Sequence, residues 1–232
     1  MNGLVLAIRP EPGGSATVEA GRAMGLSIEA HPLFEIRPLA WDAPAPEGID
    51  ALLLGSANAV RHGELEAFRA KPVYAVGEAT AAAAQAAGLT IAAIGRGELQ
   101  GLVDTLPGPL RMLRVTGAEH VPLALPAGIE VATRIAYESI PLPLPQPLAE
   151  RLRNGALILL HSAAAARHFA RECDRLGVPR SAVSLAALGP RIAAAAGEGW
   201  GEVRSAPEPR EAALLALARD MCHEPGGGEK AL

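Results

Sequence analysis

A short apolar strand that ends in a serine turn and a helix occurs twice in this sequence. The first copy, Ile49–Val60 (IDALLLGSANAV), has an apolar run without alternation, which is typical of a strand buried on both faces of a parallel sheet. The second copy, Gly155–Ala170 (GALILLHSAAAARHFA), has the same order of strand, serine and helix. Open α/β sheets bind ligands, and anions in particular, at the carboxyl ends of such strands. Two such turns predict one ligand held between two similar sheets.

The composition places the chain among globular proteins and excludes several classes of function. Its 232 residues, 50% of them hydrophobic, can form one large core or two smaller ones. The 21 basic and 25 acidic residues give a net charge of −4 without a basic block, and aromatic residues make up only 3%. A nucleic-acid partner is therefore not expected. No apolar run reaches the ~20 residues of a membrane span, so a membrane is not expected as a partner either.

The cysteines and the start of the chain indicate where the protein resides. Cys173 and Cys222 fall on helix-like stretches without the spacing of a metal site, and we interpret them as reduced thiols. The opening residues are broken by Pro10 too early to form a secretory signal. We therefore expect a cytoplasmic protein.

Strands and helices alternate along the rest of the chain, which predicts an α/β fold with parallel sheets. Segments of the first half also reappear in the second half. Leu4–Pro10 is similar to Leu110–Thr116, and Gly77 has its counterpart in Gly189. The predicted fold class is therefore two similar parallel-sheet α/β domains, flavodoxin- or Rossmann-like, joined by a two-stranded linker with a ligand cleft between them.

Proline-rich segments suggest where the domains divide. The junction between the two repeats, Leu106–Pro109, is very short, whereas longer proline-rich stretches lie inside each repeat, at 38–48 and 141–147. Domain boundaries usually fall in stretches of this composition. The repeats are therefore not expected to be two domains in series.

The predicted domains are instead nested. Residues 1–37 should fold together with 142–232 as a discontinuous domain, and 38–141 should form an inserted domain. Two connections would then run side by side, which suits a hinge. The glycine-rich tail, 224–232, is expected to be disordered.

With these features the sequence resembles the uroporphyrinogen-III synthase family. Each shared motif is short, but the motifs follow the family's order across nearly the whole chain. The architecture of that family, two α/β domains joined by a two-stranded connection, agrees with the domains expected above. The shared motifs are Arg9-Pro10, Leu54–Val60, Val76–Ala81, Tyr137-Glu138, Ser162 and Leu188–Pro190.

The resemblance implies a cyclising lyase that works without a cofactor or a metal. The enzyme would belong to tetrapyrrole biosynthesis, which leads to haem, chlorophyll and cobalamin. Its substrate would be hydroxymethylbilane, an open chain of four pyrroles that carries acetate and propionate carboxylates. The terminal hydroxyl leaves as water, the substituted carbon of the last pyrrole attacks, and the ring recloses with that pyrrole inverted. The first step needs a proton donor, and the others need a conformation imposed on a flexible substrate. The protein is expected to be a monomer that receives its substrate from the preceding enzyme.

The same resemblance implies which residues form the site. Tyr137 would be the catalytic acid. The chain departs from the family at Ile8, where threonine is usual, and at Arg191-Ile192, where polar residues are usual. An arginine at the latter position can serve a carboxylate in place of a hydroxyl. The implied substrate-binding residues are Arg9, Ser56, Ala57, Asn58, Gly77, Thr80, Ser162 and Gly189.

Other interpretations of these residues stay open from the sequence alone. Tyr137 could be a half-buried tyrosine at a strand end, Arg9 a surface arginine, and the serines simple helix caps. His161 and His168 show no carboxylate partner and no metal-site spacing, so we expect solvated or core histidines. The main alternative function is a non-catalytic two-domain sensor or binding module for a small anion. A nucleotide-dependent transferase is disfavoured because neither a G-x-G-x-x-G nor a P-loop lysine motif occurs.

Overall fold

The structure of the protein is a computed structural model, and it describes residues 4–95 and 97–223. The tail predicted to be disordered, 224–232, lies outside these residues. The strands are β1 (Leu4–Ala7), β2 (Ile28–Ala30), β3 (Phe34–Pro38), β4 (Ala51–Leu54), β5 (Pro72–Val76), β6 (Thr90–Gly95), β7 (Leu110–Gly117), β8 (Ile129–Pro141), β9 (Ala156–Leu160), β10 (Val183–Ala187) and β11 (Glu202–Ser205). The helices are α1 (Gly13–Ala23), α2 (Ala57–His62), α3 (Glu78–Ala86), α4 (Leu99–Val103), α5 (Gln146–Leu152), α6 (Ala163–Leu176), α7 (Pro190–Ala195) and α8 (Glu211–His223).

The first sheet is parallel and has the strand order β11-β10-β9-β1-β2. Every residue of β9 is buried, because apolar helices pack on both faces of the sheet. Ile158 and Leu160 belong to the core formed with α5, α6 and α7, whereas Leu157 and Leu159 belong to the core formed with α1 and α8. The strand order is flavodoxin-like, and the direction of winding reverses between β1 and β9.

The second sheet has the order β3-β8-β7-β4-β5-β6, and β4 pairs in parallel with both β5 and β7. The buried strand β4 again contributes to two cores. Leu52 and Leu54 pack with residues of α2 and α3, while Ala51 and Leu53 pack with residues of α4. In this sheet the winding reverses between β4 and β7. The prediction of two parallel-sheet α/β units from the apolar strand runs is therefore confirmed.

The chain forms two compact units that divide between residues 35 and 36 and between residues 140 and 141. Unit 1 contains the first sheet, and unit 2 contains most of the second. Both divisions lie within strands, β3 and β8, that are neighbours in the sheet. The stretch at 38–48 thus falls in unit 2 and the stretch at 141–147 in unit 1. The stretch at 141–147 leads into α5, which begins inside the proline-rich sequence and was therefore not predicted. A proline in the first turn is nevertheless compatible with a helix start.

Two predicted elements differ from the observed ones. The sequence from Asn58 to Ala70 predicts a single helix after the serine turn, but α2 ends at His62 and a separate 3₁₀ turn spans Leu65–Phe68. The break has a backbone cause, because Glu64 adopts the left-handed conformation with φ 45°. The sequence from Ser27 to Ile36, which ends shortly before Pro38, predicts one extended segment, but its residues are divided between β2 and β3, which belong to different sheets. No helix among the described residues is long and apolar enough to cross a bilayer.

Candidate functional site

The predicted site residues follow the strands at which the winding of each sheet reverses. In unit 1, Arg9 follows β1 and Ser162 follows β9, and these two strands pair directly. In unit 2, Ser56 follows β4, whose neighbour β7 ends at Gly117. Open parallel sheets bind their ligands outside the carboxyl ends of the strands at such a point. We call the residues that follow β1, β9 and β10 the unit 1 edge, and those at the carboxyl ends of β4, β5, β7 and the paired part of β8 the unit 2 edge.

Ser162 begins the longest helix at the unit 1 edge. Its Oγ accepts a hydrogen bond from the backbone N–H of Ala165 at 3.1 Å, so it is an N-cap of the 14-residue helix α6. The first N–H groups of such a helix carry partial positive charge and attract anions. Gly189 is the N-cap of α7 and has extended backbone. The N–H of Leu188 donates to the carbonyl of Leu160 at 2.9 Å, which keeps Gly189 beside the end of β9.

Arg9 is held at the unit 1 edge by an ion pair. Its Nη1 donates to Oε2 of Glu211 at 3.1 Å, and its side chain is 31% exposed. The guanidinium lies against Gly13, where a Cβ would come within 2.5 Å of Nε. Glu211 also accepts hydrogen bonds from Thr17 and pairs with His161. Sequence reasoning assigned no role to Thr17 or Glu211, since no local motif links residues that are about 200 positions apart along the chain.

The two histidines considered for metal binding have other partners. His161 does have a carboxylate partner, Glu211, contrary to the sequence analysis, because 50 positions separate the two residues. His168 lies 2.7 Å from the carbonyl oxygen of Leu142 through its Nε2 and is buried. In the part of the chain that the structure describes, no group of three or more His, Cys, Asp or Glu side chains could hold a metal ion.

At the unit 2 edge, Ser56 caps the six-residue helix α2. Its Oγ accepts a hydrogen bond from the N–H of Asn58 at 3.2 Å. Asn58 in turn accepts a hydrogen bond from Nη1 of Arg61 at 2.9 Å, which ties its side chain to its own helix. Ala57 is the first residue of this helix and has only its backbone to offer a ligand. All three residues are partly exposed.

Gly77 and Thr80 lie next along the same edge, after β5. Gly77 has φ 79° and ψ 149°, a conformation that favours glycine, and its N–H donates to the carbonyl of Gly95 at 3.0 Å. It precedes α3, whose first residues, Glu78 and Ala79, are exposed. Thr80 is only 5% exposed. The start of α3 can therefore meet an anion mainly through its backbone, and the Glu78 carboxylate competes for that position.

Tyr137 lies on β8 opposite Gly117, the last residue of β7. The ring covers the glycine closely, since a Cβ at Gly117 would lie 2.7 Å from Cε2 of the tyrosine. The N–H of Ala118 donates to the Tyr137 carbonyl at 2.9 Å. The imidazole of His62 approaches from α2, with its ring centroid 5.9 Å from that of Tyr137. Burial, and secondarily the charge of Arg61, lowers the pKa of His62 and so favours its neutral form.

A buried arginine also lies near Tyr137 and was not singled out from the sequence. Arg114 of β7 is 6% exposed, and its Nη1 donates to the carbonyl of Val121 at 3.0 Å. Its Nε has no partner within residues 4–95 and 97–223. Burial lowers the pKa of Arg114, while the proximity of Tyr137 opposes this change. The sequence signal was an arginine between the apolar residues Leu113 and Val115 of a predicted strand, where a buried charge is costly.

The two edges offer donors suited to carboxylates. Unit 1 contributes the guanidinium of Arg9 and the start of α6, and unit 2 contributes the start of α3 and, beneath its surface, Arg114. Tyr137 adds a hydroxyl that can donate a proton. Because these donors are local and fixed in direction, each edge can attract a carboxylate although the chain has a net charge of −4.

Comparison with known proteins gives one family match. The model of the HEM4 family, described as Uroporphyrinogen-III synthase HemD, matches residues 15–216. The matched segment contains all the predicted site residues except Arg9, which precedes it. Comparison with curated proteins finds no match.

Two solved structures share the fold. The uroporphyrinogen-III synthetase of Helicobacter pylori has a TM-score of 0.61 and 18% identity, covering 94% of this chain and 99% of that chain. A mutant uroporphyrinogen III synthase of Thermus thermophilus has a TM-score of 0.54 and 19% identity, covering 95% of this chain and 100% of that chain. At such identities the likeness establishes the arrangement of strands and helices but not the activity.

Proposed function

The chain belongs to the uroporphyrinogen-III synthase family, and we propose that it closes hydroxymethylbilane into uroporphyrinogen III, with loss of water and inversion of the last pyrrole. The family match over residues 15–216 is the observation that carries this conclusion. The reaction is that of a cyclising lyase in tetrapyrrole biosynthesis. The non-catalytic anion sensor has no observation in its favour.

Each edge has fixed donors that are suited to the carboxylates of the substrate. At the unit 1 edge, Arg9, the capped start of α6 at Ser162 and the turn at Gly189 supply a guanidinium and backbone N–H groups. At the unit 2 edge, the helix starts that follow Ser56 and Gly77 supply the N–H groups of Ala57, Glu78 and Ala79. The N–H groups of Asn58 and Gly77 themselves donate within the protein. The partial charges of helix starts are close to a bound anion and are partly shielded from solvent, so they act over the short distances involved.

Tyr137 is the proposed proton donor for the first step. The carbon–oxygen bond of the hydroxymethyl group breaks, its electron pair goes to oxygen, and a proton from the phenol makes water the leaving group. The pyrrole that loses the hydroxyl becomes an azafulvenium cation, and transfer of its N–H proton back to the phenolate gives the neutral azafulvene. Contacts with Gly117 and His62 fix the ring of Tyr137 in place. A positioned acid of this kind typically contributes ~10²–10⁴-fold to the rate.

The remaining steps depend on the shape imposed on the substrate. The substituted carbon of the last pyrrole attacks the azafulvene, and the resulting spiro intermediate fragments and recloses with that ring inverted. Unguided closure uses the unsubstituted carbon instead. Binding several carboxylates at once limits the conformations of the open chain. Holding the reacting carbon atoms in position in this way can lower the barrier of ring closure without a further acid or base.

We further propose that unit 1 and unit 2 are the domains of a monomeric protein of the cytoplasm, which takes its substrate from the preceding enzyme. Each unit has its own sheet with apolar cores on both faces. Cys173 and Cys222 are free thiols, as a reducing compartment allows. Sedimentation of the purified chain would test the monomer.

The test of the activity is an isomer analysis. The protein is incubated with freshly made hydroxymethylbilane without added metal or nucleotide, the products are oxidised, and the porphyrin isomers are separated. We expect the type III isomer to predominate. A mixture identical to that of the reaction without protein would refute the proposed function.

A further inference from the structure

A carboxylate at the centre of the unit 1 edge connects residues from four elements. Glu211, the first residue of α8, accepts hydrogen bonds from Nη1 of Arg9 at 3.1 Å and from the hydroxyl of Thr17 at 2.5 Å. Nε2 of His161 lies 3.1 and 3.3 Å from its two oxygens. The four side chains come from the turn after β1, from α1, from the end of β9 and from the start of α8. Glu211 therefore links the two strands between which the winding reverses.

The protonation state of this cluster follows from its geometry. Desolvation alone would raise the pKa of Glu211, but the hydrogen bonds and charges of His161, Thr17 and Arg9 outweigh it and hold the pKa below its usual value. A carboxylate only accepts, so Nε2 of His161 carries the proton that is donated to it. Nδ1 of His161 is buried and has no partner in the part of the chain that the structure describes. Among the described residues, the imidazole of His161 is therefore hydrogen-bonded through Nε2 to Glu211 and through no other ring atom.

Arg9 is fixed from two sides. One oxygen of Glu211 accepts from Nη1, and the face of the guanidinium lies against the bare Cα of Gly13, where a Cβ would fall within 3.0 Å of Nε, Cζ and Nη2. Among the described residues, Arg9 makes only the hydrogen bond through Nη1. A guanidinium has five N–H donors. The other donors of Arg9 therefore remain for a carboxylate at the end of β1.

On the premise of the proposed function, we infer that Glu211 is a positioning residue of the reaction. It holds Arg9, together with His161, in the orientation that receives a carboxylate of hydroxymethylbilane at the unit 1 edge. The bidentate geometry of a guanidinium on a carboxylate requires a fixed plane, which a freely rotating arginine does not provide. Glu211 has two opposite effects. Its negative charge repels the substrate carboxylates, while its hydrogen bond orients Arg9, which binds one of them.

These opposite effects make Glu211→Gln informative. A glutamine side chain keeps the volume but has no charge, and its amide nitrogen must face either Arg9 and His161, which also donate, or Thr17, whose hydroxyl would then have to accept. In either orientation the charge-assisted hydrogen bond that holds Arg9 is weakened or lost. We expect turnover to fall about 10-fold or more, as displacement of a bound group by ~1 Å can cost 10²-fold. KM should rise as well, because Arg9 no longer presents a fixed plane to the substrate carboxylate, although the removal of the negative charge limits the rise. Glu208→Gln is the matched control, since this exposed glutamate pairs with Arg210, its near neighbour in the chain.

A second measurement reports on Arg9 without relying on turnover. In ¹⁵N-labelled protein, the Nε–H resonance of Arg9 is assigned from its loss in Arg9→Lys, and uroporphyrin III, a stable polycarboxylate, is the probe. We expect a dispersed resonance in the wild type that shifts on addition of the probe. In Glu211→Gln the Arg9 resonance should move to the region of mobile arginines and should no longer shift when uroporphyrin III is added. Thermal unfolding verifies that the variant is folded.

The inference and the proposed function fail in different ways. If the wild type forms the type III isomer and Glu211→Gln retains its turnover and its Arg9 resonance, Glu211 is only structural and the inference is wrong. If Glu211→Gln loses stability but each folded molecule turns over as fast as the wild type, the inference is equally refuted. If the wild type forms no type III isomer, the proposed function itself is wrong.

Discussion

The contact between Gly117 and Tyr137 allows the role of the tyrosine to be tested without removing its hydroxyl. A methyl group at Gly117 would lie 2.7 Å from Cε2, 3.0 Å from Cζ and 3.2 Å from Cδ2 of Tyr137. Carbon atoms normally pack at ~3.5–4.0 Å, so the ring must move by roughly 0.5–1 Å. Gly117 is not among the glycines with positive φ, so alanine strains no backbone angle there. The substitution therefore displaces the tyrosine and little else.

We expect Gly117→Ala to lower turnover about as much as Tyr137→Phe, roughly 10²-fold, because both deprive the leaving hydroxyl of a well-placed acid. The free energy of unfolding should fall by about 1–3 kcal/mol from overpacking. The assay is the initial rate of type III formation, normalised to folded protein. Gly101→Ala in α4 is the matched control, since a Cβ there meets no atom within 4 Å.

A double-mutant cycle decides whether the effect passes through the hydroxyl. If it does, Gly117→Ala should cost far less in a Tyr137→Phe background than alone, because residues that act on one interaction are not additive. Fully additive losses would show that Gly117 acts elsewhere. Unchanged turnover in Tyr137→Phe would refute the acid role altogether and leave Tyr137 as a packing residue.

Three further predictions concern unit 1. Ser162→Val should weaken substrate binding by about 1–2 kcal/mol, and Ser162→Gly by only a few tenths, so equal losses would contradict the helix-start account. Because folding lowers the pKa of Glu211, the ionised carboxylate stabilises the folded protein above its unfolded pKa of ~4.3, and this stabilisation is lost as the pH falls. The difference in unfolding free energy between wild type and Glu211→Gln, measured by urea titration, should therefore shrink below about pH 4. A difference that stays constant with pH would refute this prediction. Burial raises the pKa of Cys173 to about 12. A thiol reagent at pH 8 should therefore modify Cys222 first and Cys173 only when the protein unfolds. Early modification of Cys173 would contradict its burial.

The parts of the fold that sequence reasoning identified are those with strong local signals. The apolar runs of β4 and β9 and the serines that follow them predict buried parallel strands and capped helices, because burial on both faces removes the alternation of polar residues. The proline-rich stretches at 38–48 and 141–147 lie beside the positions at which the two units divide, inside β3 and β8. The pairing of these two strands could not be predicted, because hydrogen bonding between distant segments leaves no compositional trace.

The residues of the candidate site divide in the same way. Those in turns after strands, such as Ser56 and Ser162, could be identified because turn and cap chemistry is local. Glu211 and Arg114 could not. Glu211 becomes significant only because α8 brings its first residue to Arg9 and His161. Arg114 becomes significant only because the fold buries it, with no carboxylate partner among the residues that the structure describes. The roles of both residues depend on tertiary contacts, which cannot be predicted from the periodicity of a single sequence.

The most direct test of the central claim follows the atoms of the last pyrrole. Hydroxymethylbilane is labelled with ¹³C at the hydroxymethyl carbon and at the unsubstituted α-carbon of its last ring, and the product is examined by ¹³C NMR. If this protein inverts the ring, the hydroxymethyl carbon bonds to the other, originally substituted α-carbon, and the product should show no one-bond coupling between the labels. A one-bond ¹³C–¹³C coupling equal to that of the spontaneous reaction would mean uninverted closure and would contradict the account.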